Sequence, residues 1–222
     1  MEYIDGYCFS GNKLETVNIN SKNVGSFSSF KTITDVVLGS NVETVAPNAF
    51  SSNPIKTVTL DCISIGNWFD HSDSITDVIL GDHVESIGEN AFNGCKNITN
   101  LTLGKSIKDI SSRAFGHIDK LTDVHCHAEN VPNTDRTAFE NSYIDYVTLH
   151  VPKASIEEYK KTAPWKNFKE IVACYETGII NVTTQQGVKA IYAPNGKKLD
   201  NVQKGVNIIR MRNGKTRKVI VK

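Results

Sequence analysis

The sequence predicts an α/β repeat, a right-handed solenoid built on a parallel β ladder, followed by a small all-β C-terminal module. Three observations carry that expectation. The chain of 222 residues restarts one short phrase seven times: LETVNI from Leu14, ITDVVL from Ile33, IKTVTL from Ile55, ITDVIL from Ile75, ITNLTL from Ile98, LTDVHC from Leu121 and IDYVTL from Ile144. Those starts lie 19, 22, 20, 23, 23 and 23 residues apart, a period at which each copy makes one turn of a stacked repeat. The charge also changes sign along the chain, with 15 Lys and Arg against 23 Asp and Glu in residues 1–186 and 10 against 1 in residues 187–222, so the tail is a separate unit by composition.

Each element follows from its own letters. Ile4, Cys8 and Phe9 of IDGYCF align with Ile87, Ala91 and Phe92 of IGENAF, so the chain opens inside a repeat and reads as a trimmed or mature fragment. Within a phrase, Val78 and Leu80 alternate with Asp77 and Ile79, the period of a strand with one buried face. Gly39, Gly81 and Gly104 end their strands, where a sharp bend is expected. Residues 86–92 then return as a loop and a short helical turn that drops Ile87, Ala91 and Phe92 into the core.

The Ala-Phe pair recurs at Ala49 and Phe50, Ala91 and Phe92, Ala114 and Phe115, and Ala138 and Phe139, a stripe that reads as core packing. In the copy from Ile55 the equivalent Trp68 and Phe69 arrive early, which predicts a local distortion. One copy buries too little apolar surface to offset its ordering entropy, so the copies must stack.

Residues 153–174 read as a cap on the last turn. Ser155 is placed to start a short helix, Ile156 and Tyr159 share one of its faces, and Trp165 and Phe168 can cover the open end. Residues 175–222 read as the basic β module, with hairpin turns at Asn195-Gly196 and Asn213-Gly214. Tyr192 is the only aromatic residue in 187–222, so the interleaved stacking surface of a single-strand nucleic acid binder is missing and no nucleic acid partner is expected.

The stretch IGENAFNGCKNITNLTLGKSIKDISSRAF resembles the BspA-like, or Treponema-type, leucine-rich repeat, with consensus I-x-x-x-A-F-x-x-C-x-x-L-x-x-V-x-L. The likeness runs from residue 4 to residue 152 and implies a right-handed leucine-rich-repeat solenoid over residues 1–152. VPKASIEEYKKTAPWKNFKEI resembles the segment that closes such arrays in Bacteroidetes proteins, and the stretch from Gly187 to Lys222 resembles C-terminal β modules of Bacteroidetes surface and secreted proteins. The resemblance implies export to the cell surface or the extracellular space and a non-enzymatic role in adhesion to host matrix proteins, other cells or glycans. Two other roles are compatible with it: a structural spacer or anchor module of a larger surface protein, and an inhibitor or accessory subunit of an exported system.

The residues themselves exclude several classes. No apolar run is long enough to span a membrane, and the N-terminus lacks the charged start and apolar stretch of a signal peptide. The five cysteines are odd in number and lack C-x-x-C spacing; Cys8 and Cys126 replace an alanine and a leucine of the repeat and read as buried apolar residues, while Cys62, Cys95 and Cys174 are scattered. No metal site and no cofactor is expected. Gly104-Lys105-Ser106 mimics the end of a phosphate loop, but Thr99 stands where that loop needs glycine, and no G-x-S-x-G, H-E-x-x-H or G-x-G-x-x-G occurs, so no enzyme is expected.

What remains is the outward face of the strands. Positions three and five of the phrases place Asp77, Ile79, Asn100, Thr102, Asp123, His125, Tyr146 and Thr148 on a candidate ligand-binding face, continued toward the N-terminus by Thr16, Asn18, Asp35, Val37, Thr57 and Thr59. Seven strands make a ladder roughly 30 Å long, suited to a protein segment or a glycan bound by a monomer. His125, His127 and His150 are expected to gather beside Asp123, with His150 on the rung of His127.

Overall fold

The computed structural model describes residues 2–28, 30–69 and 72–174 in full, together with the backbone of four strands beyond them. It divides into two compact units, Met1–Cys174 and Tyr175–Lys222.

The first unit is organised by one eight-stranded parallel sheet whose strands stack in chain order. They are β1 (Thr16–Ile19), β2 (Asp35–Leu38), β3 (Thr57–Leu60), β4 (Asp77–Leu80), β5 (Asn100–Leu103), β6 (Asp123–Cys126), β7 (Thr148–Val151) and β8 (Glu170–Ala173). Val17, Val36, Val58, Val78, Leu101, Val124, Leu149 and Ile171 stand opposite one another along this ladder. All but Ile171 are buried, so alternation along each strand becomes a continuous apolar wall across the sheet.

The return segment differs from the expected helical turn. Ile87 belongs to a two-residue strand, Ser86–Ile87, which pairs in parallel with Ser64–Ile65 and Asp109–Ile110. With Asn133–Thr134 these make a second ladder of four strands, and Tyr3–Ile4, Asn23–Val24 and Thr44–Val45 make a third of three. Parallel pairing gives these backbone groups partners in the neighbouring coils, which a lone helical turn would not. Tight turns follow, with Asn48, Asn90 and Arg113 in left-handed conformations (φ 53°, 56° and 50°).

Between the sheets runs a column of phenylalanines. Phe27, Phe50, Phe69, Phe92, Phe115 and Phe139 stack with centroids 5.8, 5.5, 5.7, 5.7 and 5.3 Å apart, and Phe9 stacks on Phe27 at the first coil. The distortion expected at Trp68 and Phe69 is absent from this column: the shortened copy loses residues from its loops, and Phe69 keeps its place. Trp68 takes the alanine position, and its carbonyl accepts the Phe50 N–H at 3.3 Å, as the Ala114 carbonyl accepts the Phe92 N–H at 2.8 Å.

The strand-ending glycines serve close approach rather than an unusual bend. Among the described glycines only Gly11 and Gly94 have positive φ. A Cβ on Gly104 would collide with the Gly81 carbonyl oxygen, and one on Gly81 or Gly39 would collide with the side chain of Asp61 or Asn20. Successive coils therefore approach too closely at this corner to admit a side chain.

At the C-terminal end a 3₁₀ turn (Lys153–Ser155), the helix α1 (Ile156–Tyr159) and a second 3₁₀ turn (Trp165–Asn167) lead into β8. Trp165 is fully buried, edge-on to Tyr159 at 5.4 Å and to Phe139 at 5.6 Å, and its indole N–H donates to Thr134 Oγ1 at 3.1 Å. Ser155 makes no side-chain cap on α1; its hydroxyl donates to the Glu129 carbonyl at 2.6 Å and ties the cap to the coil beneath. The cap also adds β8 to the ladder, a strand outside the seven phrases. Cys126 is buried as expected, whereas Cys8 is exposed in a 3₁₀ turn near the N-terminus, Gly6–Phe9.

In the second unit β9 (Val188–Tyr192), β10 (Lys198–Leu199), β11 (Gly205–Met211) and β12 (Thr216–Val221) form an antiparallel sheet in the order β10-β9-β11-β12. The sequence separates β9 from β10 by Asn195-Gly196 and β11 from β12 by Asn213-Gly214, but these turn residues lie outside the described residues.

Candidate functional site

The outward side chains of the eight-stranded sheet fall into two columns fixed by strand register. The first runs Thr16, Asp35, Thr57, Asp77, Asn100, Asp123, Thr148 and Glu170, and the second runs Asn18, Val37, Thr59, Ile79, Thr102, His125, His150 and Val172. Asp77, Ile79, Asn100, Thr102, Asp123, His125 and Thr148 thus share one face. Ile79 is 43% exposed near its middle, an apolar side chain open to solvent.

Tyr146 is not on that face. It sits in a 3₁₀ turn, Ile144–Tyr146, and is 73% exposed there, while Thr148 pairs with Asp123 and His150 with His125. Strand β7 is therefore shifted by two residues from the expected phrase. A shift of two keeps the same side chains inward, so Val147 and Leu149 remain buried and alternation alone could not detect it. Glu170 and Val172 were also missed, although the run EIVA repeats the acid-and-apolar pattern of DVVL and DVIL.

The polar letters divide their work. Thr34, Thr76, Thr99 and Thr122, just before the strands, donate their hydroxyls to the carbonyls of Glu15, Lys56, Thr76 and Thr99 in the preceding coils. Thr34 and Thr76 also meet the neighbouring carboxylates of Asp35 and Asp77 at 2.6 and 2.7 Å. Asn100 Nδ2 donates to Asp77 Oδ1 at 3.1 Å. The carboxylates are thereby oriented on the sheet before any ligand arrives.

The histidines rearrange relative to expectation. His150 stacks on His125, with centroids 4.2 Å apart and planes 8° from parallel, and its Nε2 lies 3.2 Å from Asp123 Oδ1. The rung shared by His150 is that of His125, not of His127, because of the two-residue shift. Among the described residues no three His, Cys, Asp or Glu side chains converge to hold a metal ion.

Burial, reinforced by the nearby His150 and His127 and opposed by Asp123, holds the His125 pKa below the ordinary histidine value; burial does the same for His127 against the pull of Asp82. A histidine whose folded pKa is depressed binds fewer protons folded than unfolded. Its stabilising contribution is present above the unfolded value of about 6.5 and is lost as pH falls from there through the lower folded value. Thermal unfolding should therefore move to lower temperature between pH 7.5 and pH 5.5, and His125→Gln should flatten that slope. An unchanged slope in the variant would show that His125 is not responsible.

The thiols of Cys62, Cys126 and Cys174 offer no nucleophile. Burial pushes Cys62 and Cys174 up to about 11, and it also raises Cys126, whose sulfur lies 3.2 Å from the Tyr159 hydroxyl. Cys95 instead donates its thiol to the Phe69 carbonyl, the same backward reach that Ser142 makes to Phe115 and Asn53 to Phe27.

The BspA type Leucine rich repeat region matches the chain in six copies, over residues 1–68 and 63–193. The chain belongs to the BspA-type leucine-rich-repeat family. A crystal structure of a leucine-rich repeat protein from Bacteroides ovatus is similar to this BspA-type chain with a TM-score of 0.57 at 18% identity, a likeness of fold, over 78% of this chain and 46% of that one. The chain thus spans less than half the length of that neighbour. The pneumococcal vaccine antigen PcpA aligns over 78% of this chain and 71% of its own, with a TM-score of 0.39 at 14% identity. No curated protein matches the chain. Among the described residues of this BspA-type solenoid no helix is long and apolar enough to cross a membrane.

Proposed function

We propose that this BspA-type protein acts at the cell surface or outside the cell, holding a protein or glycan of host matrix or of other cells on the outward face of its eight-stranded sheet. The observation that supports this reading is the contrast between inward and outward letters. The inward letters are interchangeable aliphatic residues buried in one core, whereas the outward columns carry Asp, Asn, Thr, His and an exposed Ile79 on a face about 34 Å long. A spacer needs the stack alone and makes no use of that variation.

Binding of the whole chain to immobilised matrix proteins, cells and glycans tests it. Replacing Asp77, Asn100, Asp123 and His150 together by alanine is expected to weaken adhesion at least about tenfold, from several contacts each worth about 0.5–1.5 kcal/mol. Changing Asp109 and Asn133, exposed on the opposite ladder, should leave adhesion as it was. Equal adhesion by the face variant and the unaltered chain would favour the spacer role.

A further inference from the structure

The outward face carries a repeat twice as long as the coil. Strands β2, β4, β6 and β8 present an acid in the first column: Asp35, Asp77, Asp123 and Glu170. The strands between them present Thr57, Asn100 and Thr148 at the same position. The second column shares the alternation, with Val37, Ile79 and Val172 on acid-bearing strands and Thr59 and Thr102 on their neighbours, while His125 and His150 occupy the rungs of β6 and β7. Core packing does not require any of this, because these side chains point away from the core.

Among the described residues no lysine or arginine pairs with the acids of this column. Lysines and Arg113 on the edges pair with Glu15, Glu43, Asp82, Glu85 and Glu140. Asp35, Asp77 and Glu170 make no such pair among the described residues, and Asp123 meets only His150. Lys56 precedes Thr57 at the margin of the acidic column, on a rung that carries no acid.

We infer that this face is shaped for a polyproline II segment bearing a cation at every third residue. The inference rests on the proposed binding role of the sheet and names the class of partner. Acids on alternate strands lie about 9.6 Å apart, twice the inter-strand spacing. A polyproline II helix returns to the same edge every three residues, about 9.3 Å, so four cations drift by only about 1 Å over three steps. An extended β-strand repeats its face at about 6.7 Å and falls out of step at once. An α-helix spaced at seven residues repeats at about 10.5 Å and drifts by about 3 Å. The ligand's intervening rings would lie on Val37, Ile79 and the stacked imidazoles, while its cations reach the carboxylates oriented by Thr34, Thr76 and Asn100. Its backbone has no internal hydrogen bonds to lose, so the open hydroxyls of Thr57, Thr59 and Thr102 can serve its carbonyls.

Fluorescence anisotropy of the whole chain with labelled (Pro-Pro-Arg)4, (Pro-Pro-Glu)4 and (Gly-Ser-Arg)4 tests this. The first peptide should bind, the second should not, and the third, equal in charge but flexible, should bind about tenfold more weakly because it must be ordered. Binding of (Pro-Pro-Arg)4 should fall about tenfold in the Asp35→Asn plus Asp77→Asn variant and not in Asp109→Asn, and should weaken steeply from 0.1 to about 1 M salt. Asparagine keeps an acceptor for the Thr34 and Thr76 hydroxyls, and matched thermal unfolding confirms that the variant is folded. Equal affinity for the proline and glycine peptides, or indifference to the aspartate changes, overturns the inference. If the arginine peptide fails while the face variant of the adhesion assay still loses its ligand, only the partner class is wrong; if both are indifferent, the binding face falls with it.

Discussion

Phe92→Ala is expected to lower stability by about 3–5 kcal/mol, as large-to-small changes at fully buried aromatic sites do. The ring lies between Phe69 and Phe115 at 5.7 Å from each, nearly parallel to both at 6° and 5°. Deleting it leaves a void that the coils on either side cannot close, because their spacing is fixed by the parallel ladders. In a solenoid each coil contacts only its neighbours, so the loss falls on the coupling between the two halves of the stack. Phe9→Ala, at the half-buried start of the column, should cost markedly less. Denaturant unfolding of both variants measures the difference, and a Phe92→Ala loss no larger than that of Phe9→Ala would contradict this account of the column.

Trp165→Ala should have a comparable effect, about 3–5 kcal/mol, through the end of the array rather than its middle. The indole covers Phe139, contacts Tyr159 edge-on and donates to Thr134, so its removal exposes the last ring of the column and leaves an acceptor without its donor. Trp165→Phe keeps most of the ring and loses the hydrogen bond, and should cost about 1 kcal/mol beyond the change in volume. Hydrogen exchange separates local from global loss: amides of β7 and β8 should lose protection in the alanine variant before those of β2 and β3. Uniform protection across the ladder would mean that the cap does not hold the end.

The repeat was legible because its inward letters recur with fixed spacing. Val36, Val58 and Val78 meet across the sheet as their phrases align, and the Ala-Phe pairs mark most of the aromatic column. Ser26 in place of the repeat's alanine hides Phe27, and the short loops that bring Trp68 and Phe69 early leave the core position of Phe69 unchanged. In both places the backbone bond between neighbouring coils, Phe27 N–H to the Ala49 carbonyl and Phe50 N–H to the Trp68 carbonyl, holds the ring in line whatever the neighbouring side chain. The two-residue strands opposite the main sheet were invisible for a related reason: they are too short to show a period.

The face was legible in parity but not in register. Asp77, Asn100 and Asp123 could be assigned outward from alternation alone, and Thr148 with them. Whether His150 stood beside His125 or His127 depended on two residues absorbed in the turn from Ile144 to Tyr146, which only the pairing of β7 with β6 reveals.

Sequence by itself determined the class of fold, the inward faces of seven strands and the aromatic cap, because burial of apolar surface is imposed residue by residue and leaves its period in the letters. Tertiary structure alone decided the rung on which each outward side chain stands, the stacking of His125 on His150 and the arrival of β8. Those depend on hydrogen-bonded register between coils some twenty residues apart, where shifting a strand by two residues changes its neighbours and not its pattern.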